Sequence, residues 1–505
     1  MKILLTGQIR AADEFTIREE PVRSIDLMER AAEGLSSFIR SDFPSSSSFR
    51  IFAGNGNNGG DSIALARMLA HRGKQIRLYV LKSDRDSSPD NRTNLERLPD
   101  LNNLEMSMIG PNDPLPEIDA DEVIVDAIFG SGLTREPAGN PARIIDHINA
   151  SKCRVISVDI PSGLYGDDNR TNSRQHTVRA TATYSFQFPK LCFFMPENLP
   201  FVGRWSVIPI GLHPAFIESC ETPWHYTDGA DAASWLPGRS KFDHKGTFGH
   251  AILFCGSTGK MGAAILAARA ALRSGCGLLT IHIPSSGNAI IQGAVPEAMT
   301  DPDRDPDSWS ETHNLSRFTA AGAGPGIGQL PETWRALTYL LKKSTHPLVL
   351  DADALNLLAA HPGSLLQVPR KSILTPHPGE YNRIFGEDPD QLTRIFRLRE
   401  MAKAYQLVIV LKGAHTAVAG PDGSVWFNST GNPGMAKGGS GDVLTGIITS
   451  MLARGLEPFT AARLGVYVHG LAGDLAAAQN GYEALTAGDI INYLGAAFKR
   501  IQKRS

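Results

Sequence analysis

Near its carboxyl end the sequence reads Asn432-Pro433-Gly434-Met435-Ala436-Lys437-Gly438-Gly439-Ser440-Gly441-Asp442, followed by an apolar helical segment from Val443 to Met451. Glycines let a loop turn tightly, so that its backbone N–H groups converge. The helix behind it directs the positive end of its dipole at the loop. The pattern predicts an anion hole for a transferring phosphoryl group, with Asp442 as the base for a substrate hydroxyl. The alternative is a glycine-rich loop in which Asp442 only caps the helix.

The composition is that of a globular chain with more than one domain. The chain has 505 residues, 42% hydrophobic and 20% charged, with a net charge of −2. This balance gives no electrostatic reason to bind nucleic acid or an anionic membrane. No apolar run reaches the roughly 18 residues that span a membrane, and the first residues lack the longer apolar core of a secretory signal. The five cysteines show no CxxC spacing, so we expect reduced thiols in a cytoplasmic protein, without a zinc site.

Short β-branched runs alternate with helical patterns in both halves, which is typical of βαβ units with parallel sheets. In the first half the predicted strands are Arg50–Ala53, Gln75–Leu81, Glu122–Asp126 and Arg154–Asp159. In the second half they are His250–Phe254, Leu278–Ile283, Pro347–Leu350, Ser372–Thr375 and Val408–Leu411. Apolar periodicity predicts helices at Ser62–Arg72, Ala263–Arg273 and Val443–Ala453. A proline-containing stretch, Ser219–Pro237, marks the boundary between domains at 1-220 and 227-505.

Three loops of the first half follow predicted strands and carry polar side chains. They are Gly54-Asn55-Gly56-Asn57-Asn58-Gly59-Gly60-Asp61, the run from Val125 to Leu133 that contains Asp126, and the run from Val158 to Leu164 that contains Asp159. Ligands of open α/β sheets bind where strands end and loops diverge. The loops offer N–H groups for phosphate and amide oxygens for a hard cation. The alternatives are a tight turn that uses Asn, and aspartates that cap the following helices.

The segments GNGNNGGD, DAIFGSGL and VDIPSGL resemble the epimerase domain of the bifunctional NAD(P)H-hydrate repair enzymes, which interconverts the S and R hydrates of NADH and NADPH. The resemblance implies a Rossmann-like, three-layer α/β/α domain. It implies a potassium ion held by Asn58, Asp126 and Ser162, and one carboxylate among neutral oxygens suits a single positive charge. It also implies that Asp159 does acid/base work. The hydrate would be lined by Asn57, Asn58, Gly59, Gly60, Asp61, Gly130, Ser131, Gly132, Leu133, Thr134, Arg135, Glu136 and Asp159.

The second half resembles the dehydratase domain of the same family, an α/β domain of the ribokinase-like fold. The resemblance rests on HKGTFG at 244–249, KMGAA at 260–264, AGPGIG at 323–328, DADALN at 351–356, TPHPGE at 375–380 and LKGAHT at 411–416, besides the glycine-rich loop. It implies that the substrate contacts Ala263, Gly326, His377 and Asp442. The nucleotide would be bound by Lys412, Gly413, Ala414, His415, Thr416, Gly438, Gly439, Ser440 and Gly441.

The implied reaction is a dehydration that uses kinase chemistry. The hydrated nicotinamide carries a hydroxyl at C6, and its phosphorylation by ATP or ADP would turn a poor leaving group into phosphate. Asp351 and Asp353 would position magnesium through water, or would cap the next helix. We therefore expect potassium and magnesium as cofactors, ADP or ATP as co-substrate, NADHX and NADPHX as substrates, no nucleic acid or membrane partner, and a homo-oligomer.

Two other functions are compatible with parts of the pattern. The Gly-Ser-Gly-Asp sequence would also suit a ribokinase-type small-molecule kinase, although a fused NNGGD domain is not expected there. Alternatively, the first half has lost catalysis and serves as a nucleotide-sensing or interaction module. The presence of Asp126 and Asp159 argues against that loss.

Overall fold

The structure, a computed structural model, describes residues 1–83, 86–312 and 315–503. The chain forms two compact units, Lys2–Thr222 and Pro223–Ser505, and Met1 groups with the second. Trp224–Thr227 form a strand of the second unit, and the predicted second domain, which starts at residue 227, omits the first three of these residues. Within the described ranges no helix is both long and apolar enough to cross a membrane.

The first unit alternates strands and helices along the chain. Its strands are β1 (Ser48–Ala53), β2 (Gln75–Leu81), β3 (Leu104–Ile109), β4 (Val123–Ala127), β5 (Arg154–Val158), β6 (Ala182–Phe186) and β7 (Arg204–Ile208). Its helices are α1 (Thr6–Glu19), α2 (Ser24–Asp42), α3 (Asn57–Ala70), α4 (Pro89–Glu96), α5 (Asn140–Ala150), α6 (Leu199–Val202) and α7 (Pro214–Ser219).

The strands of this unit form one seven-stranded sheet in the order β3-β2-β1-β4-β5-β6-β7. Every pairing is parallel. Successive side chains of a strand point to opposite faces. Ile51 of β1 accordingly packs with α2 and α3, while Phe52 packs with α5. Apolar residues on both faces, covered by helices, produce the three-layer α/β/α arrangement that the sequence predicted.

The second unit is larger and also alternates. Its strands are β8 (Trp224–Thr227), β9 (His250–Phe254), β10 (Leu278–Ile283), β11 (Met299–Pro302), β12 (Ala320–Ala323), β13 (Leu348–Leu350), β14 (Ile373–Leu374), β15 (Val408–Leu411), β16 (Ala417–Ala419) and β17 (Val425–Asn428). Its helices are α8 (Gly229–Trp235), α9 (Met261–Arg273), α10 (Asn288–Ala294), α11 (Pro331–Lys343), α12 (Ala352–Ala360), α13 (Pro378–Phe385), α14 (Gln391–Tyr405), α15 (Ser440–Ala453), α16 (Pro458–Asn480) and α17 (Ala487–Gln502).

Its ten-stranded sheet has the order β11-β10-β9-β12-β13-β14-β15-β16-β17-β8. The pairings are parallel except for the antiparallel pairs β15/β16 and β16/β17. Helices α9, α15, α16 and α17 supply most of one large apolar core. Strands β9, β12, β13, β14 and β15 run parallel, so the loops that follow them leave the sheet at the same edge. Ligands bind at this edge in such an architecture.

The structure corrects two kinds of prediction. The predicted set lacks eight strands, which are short or lack a clear β-branched run: β3, β6, β7, β8, β11, β12, β16 and β17. All three predicted helices begin earlier than predicted, α9 by two residues at Met261 and the other two by more. Helix α3 starts at Asn57 and α15 at Ser440, so the polar residues assigned to loops occupy first helical turns. Polar residues and glycine are tolerated there because first-turn N–H groups have no acceptor within the helix.

Candidate functional site

A cleft of about 1380 Å³ opens at the carboxyl edge of the first sheet. It lies where β1 and β4 are neighbours and the strand order reverses, the usual ligand position in such sheets. The expected hydrate-binding residues line it, with the exception of Gly59 and Gly60. Those glycines are buried behind the cleft wall, where a side chain on Gly59 would overlap the Gly54 carbonyl and one on Gly60 would overlap Met28. Gly59 lets α3 approach the end of β1, and Gly60 lets it approach α2.

The three predicted cation ligands lie together around the backbone of Phe129. Asn58 Nδ2 donates to the Phe129 carbonyl at 2.9 Å, and Ser162 Oγ accepts from the Phe129 N–H at 2.8 Å. Asp126 is fully buried, and its Oδ2 accepts from the Ser162 N–H at 2.9 Å and from Ser157 Oγ at 2.8 Å. The Asn58 side-chain oxygen is buried and has no hydrogen-bond partner among the described residues. Burial raises the pKa of Asp126, against the lowering effect of these hydrogen bonds.

Asp159 is held as an ionised carboxylate in the same cleft. Its backbone has a φ of 63°, a left-handed conformation that non-glycine residues rarely adopt. Lys190, with 1% of its side chain exposed, donates to Asp159 Oδ1 at 2.7 Å, and the Phe186 N–H donates at 3.2 Å. Burial raises the pKa of Asp159, but the Lys190 charge and the hydrogen bonds outweigh burial and lower it below its ordinary value. Asp159 is therefore ready to accept a proton at neutral pH.

Two further carboxyl groups face this cleft. Asp61, which the sequence placed here, is buried, and burial together with the charges of Asp159 and Asp13 raises its pKa well above the ordinary value. Asp13, on α1, was not found by sequence reasoning. Burial, followed by the charge of Asp159, raises the pKa of Asp13 to about 7. Asp13 shares a helix face with other residues of α1 that line the cleft, but the sequence does not show that this face meets the cleft.

In the second unit, the glycine-rich loop ends at the first turn of α15. Gly439 is the N-cap, with φ 89° and no side-chain cap bond. Asp442 therefore does not cap the helix, and it makes no hydrogen bond or ion pair with any residue in the described ranges. Asp442 lies in the first turn of α15, whose amides have no acceptor within the helix. Such a turn can bind an anion, and a carboxylate without a hydrogen-bond partner there can accept a proton.

Lys412 and Asp351 form a polar cluster beside this helix. Lys412 Nζ lies 2.9 Å from Asp351 Oδ1 and 3.7 Å from Glu380 Oε2, and Asp351 Oδ2 accepts from Thr445 Oγ1 at 2.7 Å. Although Asp351 precedes α12, its side chain makes no cap bond. Gly441 packs against the cluster, since a Cβ there would lie 3.4 Å from Lys412 Nζ and 3.5 Å from Asp351 Oδ2. The predicted nucleotide loop and the anion hole are therefore adjacent.

Burial and the charges of this cluster shift the pKa of Asp442. Burial and the carboxylate of Asp351 raise the pKa of Asp442 to about 6, against the lowering effect of Lys412. Burial lowers the pKa of Lys412, but Asp351 and Glu380 outweigh it and raise that pKa. Lys412 is therefore charged, and Asp442 titrates close to the pH at which a general base is most effective.

The remaining predicted residues of the second unit lie around the same edge. Gly326, with φ 65°, packs against Ala263, because a Cβ would lie 3.2 Å from the Ala263 Cβ. Gly413 and Ala414 are exposed, and Thr416 Oγ1 closes their turn by donating to the Gly413 carbonyl at 3.1 Å. His415 points to the Asn428 carbonyl, with a Nδ1–O distance of 3.3 Å.

His377, which is predicted to contact the substrate, also has a structural role. Its Nδ1 accepts from the backbone N–H groups of Gly379 and Glu380 at 3.0 and 3.3 Å, and so caps α13. Half of its side chain is exposed, which leaves Nε2 at the ligand edge near Glu380. Both roles are therefore compatible with its position.

Three residues near this site were missed by sequence reasoning. Thr445 orients Asp351, and Lys260 pairs with Asp353 at 3.1 Å. His469 on α16 places Nε2 3.3 Å from Ser440 Oγ, and burial lowers its pKa to about 4, so the imidazole is neutral. Each contact joins residues that are far apart in the chain, so no local sequence pattern predicts it.

Comparison with known proteins gives matches for both halves. Residues 24–192 match the family described as YjeF-related protein N-terminus, and residues 251–495 match the family described as NAD(P)H-hydrate dehydratase. The chain is 35% identical over 520 residues to a bifunctional NAD(P)H-hydrate repair enzyme Nnr of Moorella thermoacetica, covering 100% of this chain and 98% of that protein. It is 32% identical to the enzyme of the same name from Escherichia coli, covering 93% and 88%.

One solved structure is similar to the second unit. It is the ADP/ATP-dependent NAD(P)H-hydrate dehydratase of Bacillus subtilis, co-crystallised with ATP/Mg2+. Its TM-score is 0.50 at 35% identity, and the match covers 55% of this chain and 98% of that chain.

Proposed function

This chain belongs to the family of bifunctional NAD(P)H-hydrate repair enzymes, and from that premise we propose how its residues divide the two reactions. The first unit interconverts the S and R hydrates of NADH and NADPH. The second unit dehydrates the S hydrate back to NAD(P)H at the expense of ADP or ATP. The observation that carries the proposal is the position of Asp442, which lies in the first turn of α15 near the charges of Asp351 and Lys412 and has no hydrogen-bond or ion-pair partner among the described residues.

The dehydration uses Asp442 as a general base. The carboxylate takes the proton of the C6 hydroxyl as the hydroxyl oxygen bonds to the terminal phosphorus of the nucleotide, which leaves with one phosphate fewer. The C6–O bond then breaks as the lone pair of ring nitrogen N1 forms a double bond to C6 and phosphate departs. Loss of a proton from C5 restores the dihydropyridine. The C5 proton passes to the departing phosphate or to water, so the balance needs no further reactant.

The nucleotide phosphates would be bound by the loop and helix start from Gly438 to Gly441, and Lys412 adds a positive charge beside them. Magnesium fits next to these phosphates, because three carboxylates lie close together at this edge and oxygen atoms are its preferred ligands: Asp351, Asp353 and Asp442. When bound, this ion would neutralise phosphate charge. Asp351 would position it through water, since its own oxygens already accept from Lys412 and Thr445.

Epimerisation would take place in the cleft of the first unit. Asp159 supplies an ionised carboxylate, and the loop from Gly130 to Glu136 lines the space for the hydrate. The cleft volume of about 1380 Å³ suits a dinucleotide rather than a small metabolite.

The proposal is tested with mixed S and R NADH hydrate and the purified full chain, with and without ATP or ADP, following the absorbance of restored NADH. We expect nearly complete recovery with nucleotide, because the R form is converted to S, and none without it. Recovery that stops at the S fraction would show that the first unit is not an epimerase. Recovery that does not depend on nucleotide would overturn the dehydratase mechanism.

We further propose that the Asn58–Asp126–Ser162 cluster binds potassium. The fit rests on the Asn58 side-chain oxygen, which is buried without a hydrogen-bond partner among the described residues, and on the buried Asp126 carboxylate, whose causes of pKa shift include no positive charge. The donors are one carboxylate with neutral amide, hydroxyl and backbone oxygens, a set that suits a hard monovalent cation. When bound, the ion would compensate Asp126 and fix the Phe129 loop at the cleft wall.

The potassium proposal predicts that Asp126→Ala weakens epimerisation and removes its dependence on potassium, while dehydration of the S hydrate is unchanged. The measurement compares epimerisation rates in potassium and in tetramethylammonium salts. Asp119→Ala, which removes an exposed aspartate of the same unit, is the control. Equal wild-type rates in both salts, or potassium dependence that survives in Asp126→Ala, would contradict the assignment.

A further inference from the structure

Asp13 lies on the face of α1 that forms one wall of the epimerisation cleft. Thr6, Ile9, Arg10, Asp13 and Ile17 all line the cleft, at the spacing of one helix face. The side chain of Asp13 is partly exposed to the cleft, unlike the buried Asp61.

Helix α1 is fixed in place at both ends. The Thr6 N–H donates to both carboxylate oxygens of Asp167 at 3.2 Å, and fully buried Thr16 accepts from the His213 N–H at 2.9 Å. In its middle, Arg10 approaches the predicted substrate loop, since a Cβ on Gly132 would lie 3.7 Å from Arg10 Nη2. Asp13, one turn further along, is therefore held at a defined position beside the substrate loop.

Epimerisation requires two proton-transfer groups. C6 of the hydrate carries a hydroxyl and is bonded to ring nitrogen N1, so its configuration inverts if the C6–N1 bond opens and closes on the other face. Opening needs a base for the hydroxyl proton and an acid for N1. Asp159, paired with Lys190, supplies only the base.

We propose that Asp13 is the second acid/base group of epimerisation and gives a proton to N1 while Asp159 takes one from the C6 hydroxyl. The C6–N1 electrons pass to N1, the hydroxyl oxygen becomes an aldehyde oxygen, and rotation about C5–C6 presents the other face. N1 then attacks C6, its proton returns to Asp13, and Asp159 returns a proton to oxygen. The balance needs no oxidant or further reactant. The inference rests on the proposed epimerase function.

The charges around Asp13 favour this role. Asp159, Asp61 and Glu14 are the neighbouring carboxyl groups and Lys190 is the neighbouring cation. The resulting pKa of about 7 lets Asp13 both give and take a proton near neutral pH. Asp61 differs from Asp13 in being buried, and burial together with the charges of Asp159 and Asp13 raises its pKa well above the ordinary value.

The test uses the full chain without nucleotide and starts from hydrate enriched in the S or the R form. Chromatography that separates the two forms follows the approach to epimer equilibrium. We expect Asp13→Asn to lower kcat by about 10²- to 10⁴-fold with little change in KM, and Asp13→Glu to recover part of it. The wild-type rate should fall as pH rises through about 7, as the acid is lost, and this fall should disappear in Asp13→Asn. Glu19→Gln, an exposed charge on the same helix outside the cleft, is the matched control.

The outcomes separate this inference from the proposed function. Undiminished dehydration of S hydrate by Asp13→Asn shows that the second unit is intact. If the wild-type chain interconverts the epimers, two results overturn the role of Asp13. One is a kcat of Asp13→Asn equal to that of wild type, and the other is a decrease of the rate above pH 7 that persists in this variant. An effect confined to KM also overturns it, because Asp13 would then only bind. A wild-type chain that does not interconvert the epimers overturns the proposed function and this inference together.

Discussion

At the residue scale, the two sites use carboxyl groups whose neighbours move their pKa values in opposite directions. Asp159 faces Lys190, and this ion pair lowers its pKa despite burial. Asp442 faces Asp351 as well as Lys412, and burial with the like charge raises its pKa to about 6. The lowered pKa keeps Asp159 ionised throughout the neutral range, whereas Asp442 becomes ionised close to neutral pH.

We predict that Asp442→Asn abolishes dehydration, with a loss of about 10²- to 10⁴-fold, and leaves nucleotide affinity largely intact. The reason is that backbone N–H groups bind the phosphates while the carboxylate only takes the proton. The wild-type rate should rise with pH through about 6, because a base acts in its deprotonated form. Kinetics of restored NADH and calorimetric titration with ADP provide the measurement.

The matched control for Asp442→Asn is Glu400→Gln, which removes an exposed charge on α14. It should leave both rate and pH profile unaltered. Near-normal turnover by Asp442→Asn would show that another group takes the proton.

At the element scale, the start of α15 depends on the backbone of Gly439. With φ 89° and a Cβ position 2.6 Å from Leu266 Cδ1, this residue has no room for a side chain. We predict that Gly439→Ala lowers the free energy of unfolding by about 1–2 kcal/mol and weakens nucleotide binding, because the first turn and its N–H groups shift. Denaturant unfolding and nucleotide titration measure the two effects.

Gly495→Ala is the control for this substitution, since Gly495 lies within α17 and a Cβ there would have nothing within 4 Å. We expect it to stabilise the protein by up to about 1 kcal/mol. If both alanine variants bound nucleotide as well as wild type does, the Gly439 geometry would be irrelevant to the site.

A second element-scale feature is a buried histidine of β10, His282, which is the register partner of Asp301 on β11. His282 Nδ1 lies 3.0 Å from Asp301 Oδ2, and its Nε2 lies 3.0 Å from Asp303 Oδ2. Burial lowers the pKa of His282, but the two carboxylates outweigh burial and raise it above the ordinary value of 6.5. A raised folded-state pKa contributes stability that is fully present below the unfolded value and is lost as pH rises through the folded value.

We therefore predict that His282→Gln destabilises the protein most at about pH 6, by about 3 kcal/mol, and progressively less as the pH rises. Urea unfolding at several pH values, followed by tryptophan fluorescence, measures this, because Trp309 lies beside His282. His346→Gln, at an exposed histidine, should give a small difference that does not vary with pH. A destabilisation by His282→Gln that grew with pH would show that the buried imidazole is neutral.

At the scale of the whole molecule, each unit has its own sheet, its own apolar core and its own site. We predict that a fragment of residues 1–222 interconverts the epimers without nucleotide, and that a fragment of residues 223–505 dehydrates only the S form and needs ATP or ADP. A fragment that begins at residue 228 should be less stable, because it lacks β8 and exposes the edge of β17. Thermal unfolding and the two activity assays on the separate fragments are the measurements.

The division would be wrong if the first fragment consumed nucleotide, or if the second cleared both epimers at equal rates. The expectation of a homo-oligomer belongs to the same scale and stays a prediction, which sedimentation of the full chain measures.

The sequence by itself determined the class of both folds, the family, and the loops that carry the chemistry. These signals are local: a β-branched run predicts a strand, and Gly, Asn or Asp directly after it predicts a ligand loop at the strand's carboxyl end. This pattern indicated Asn58, Asp126, Asp159 and Asp442, the family resemblance added Lys412, and their roles stay predictions. Parallel strands then bring such loops to one edge, whatever lies between them in the chain.

Only the tertiary structure decided which side chains meet, because those contacts join residues that no local pattern relates. Lys190 meets Asp159 across 31 positions, and Thr445 meets Asp351 across 94. Asp13 reaches the cleft only because α1 packs there, and the early start of α15 releases Asp442 from capping. Charge state follows from burial and from the nearest charges, so the pKa values that distinguish an acid from a base are properties of the folded arrangement.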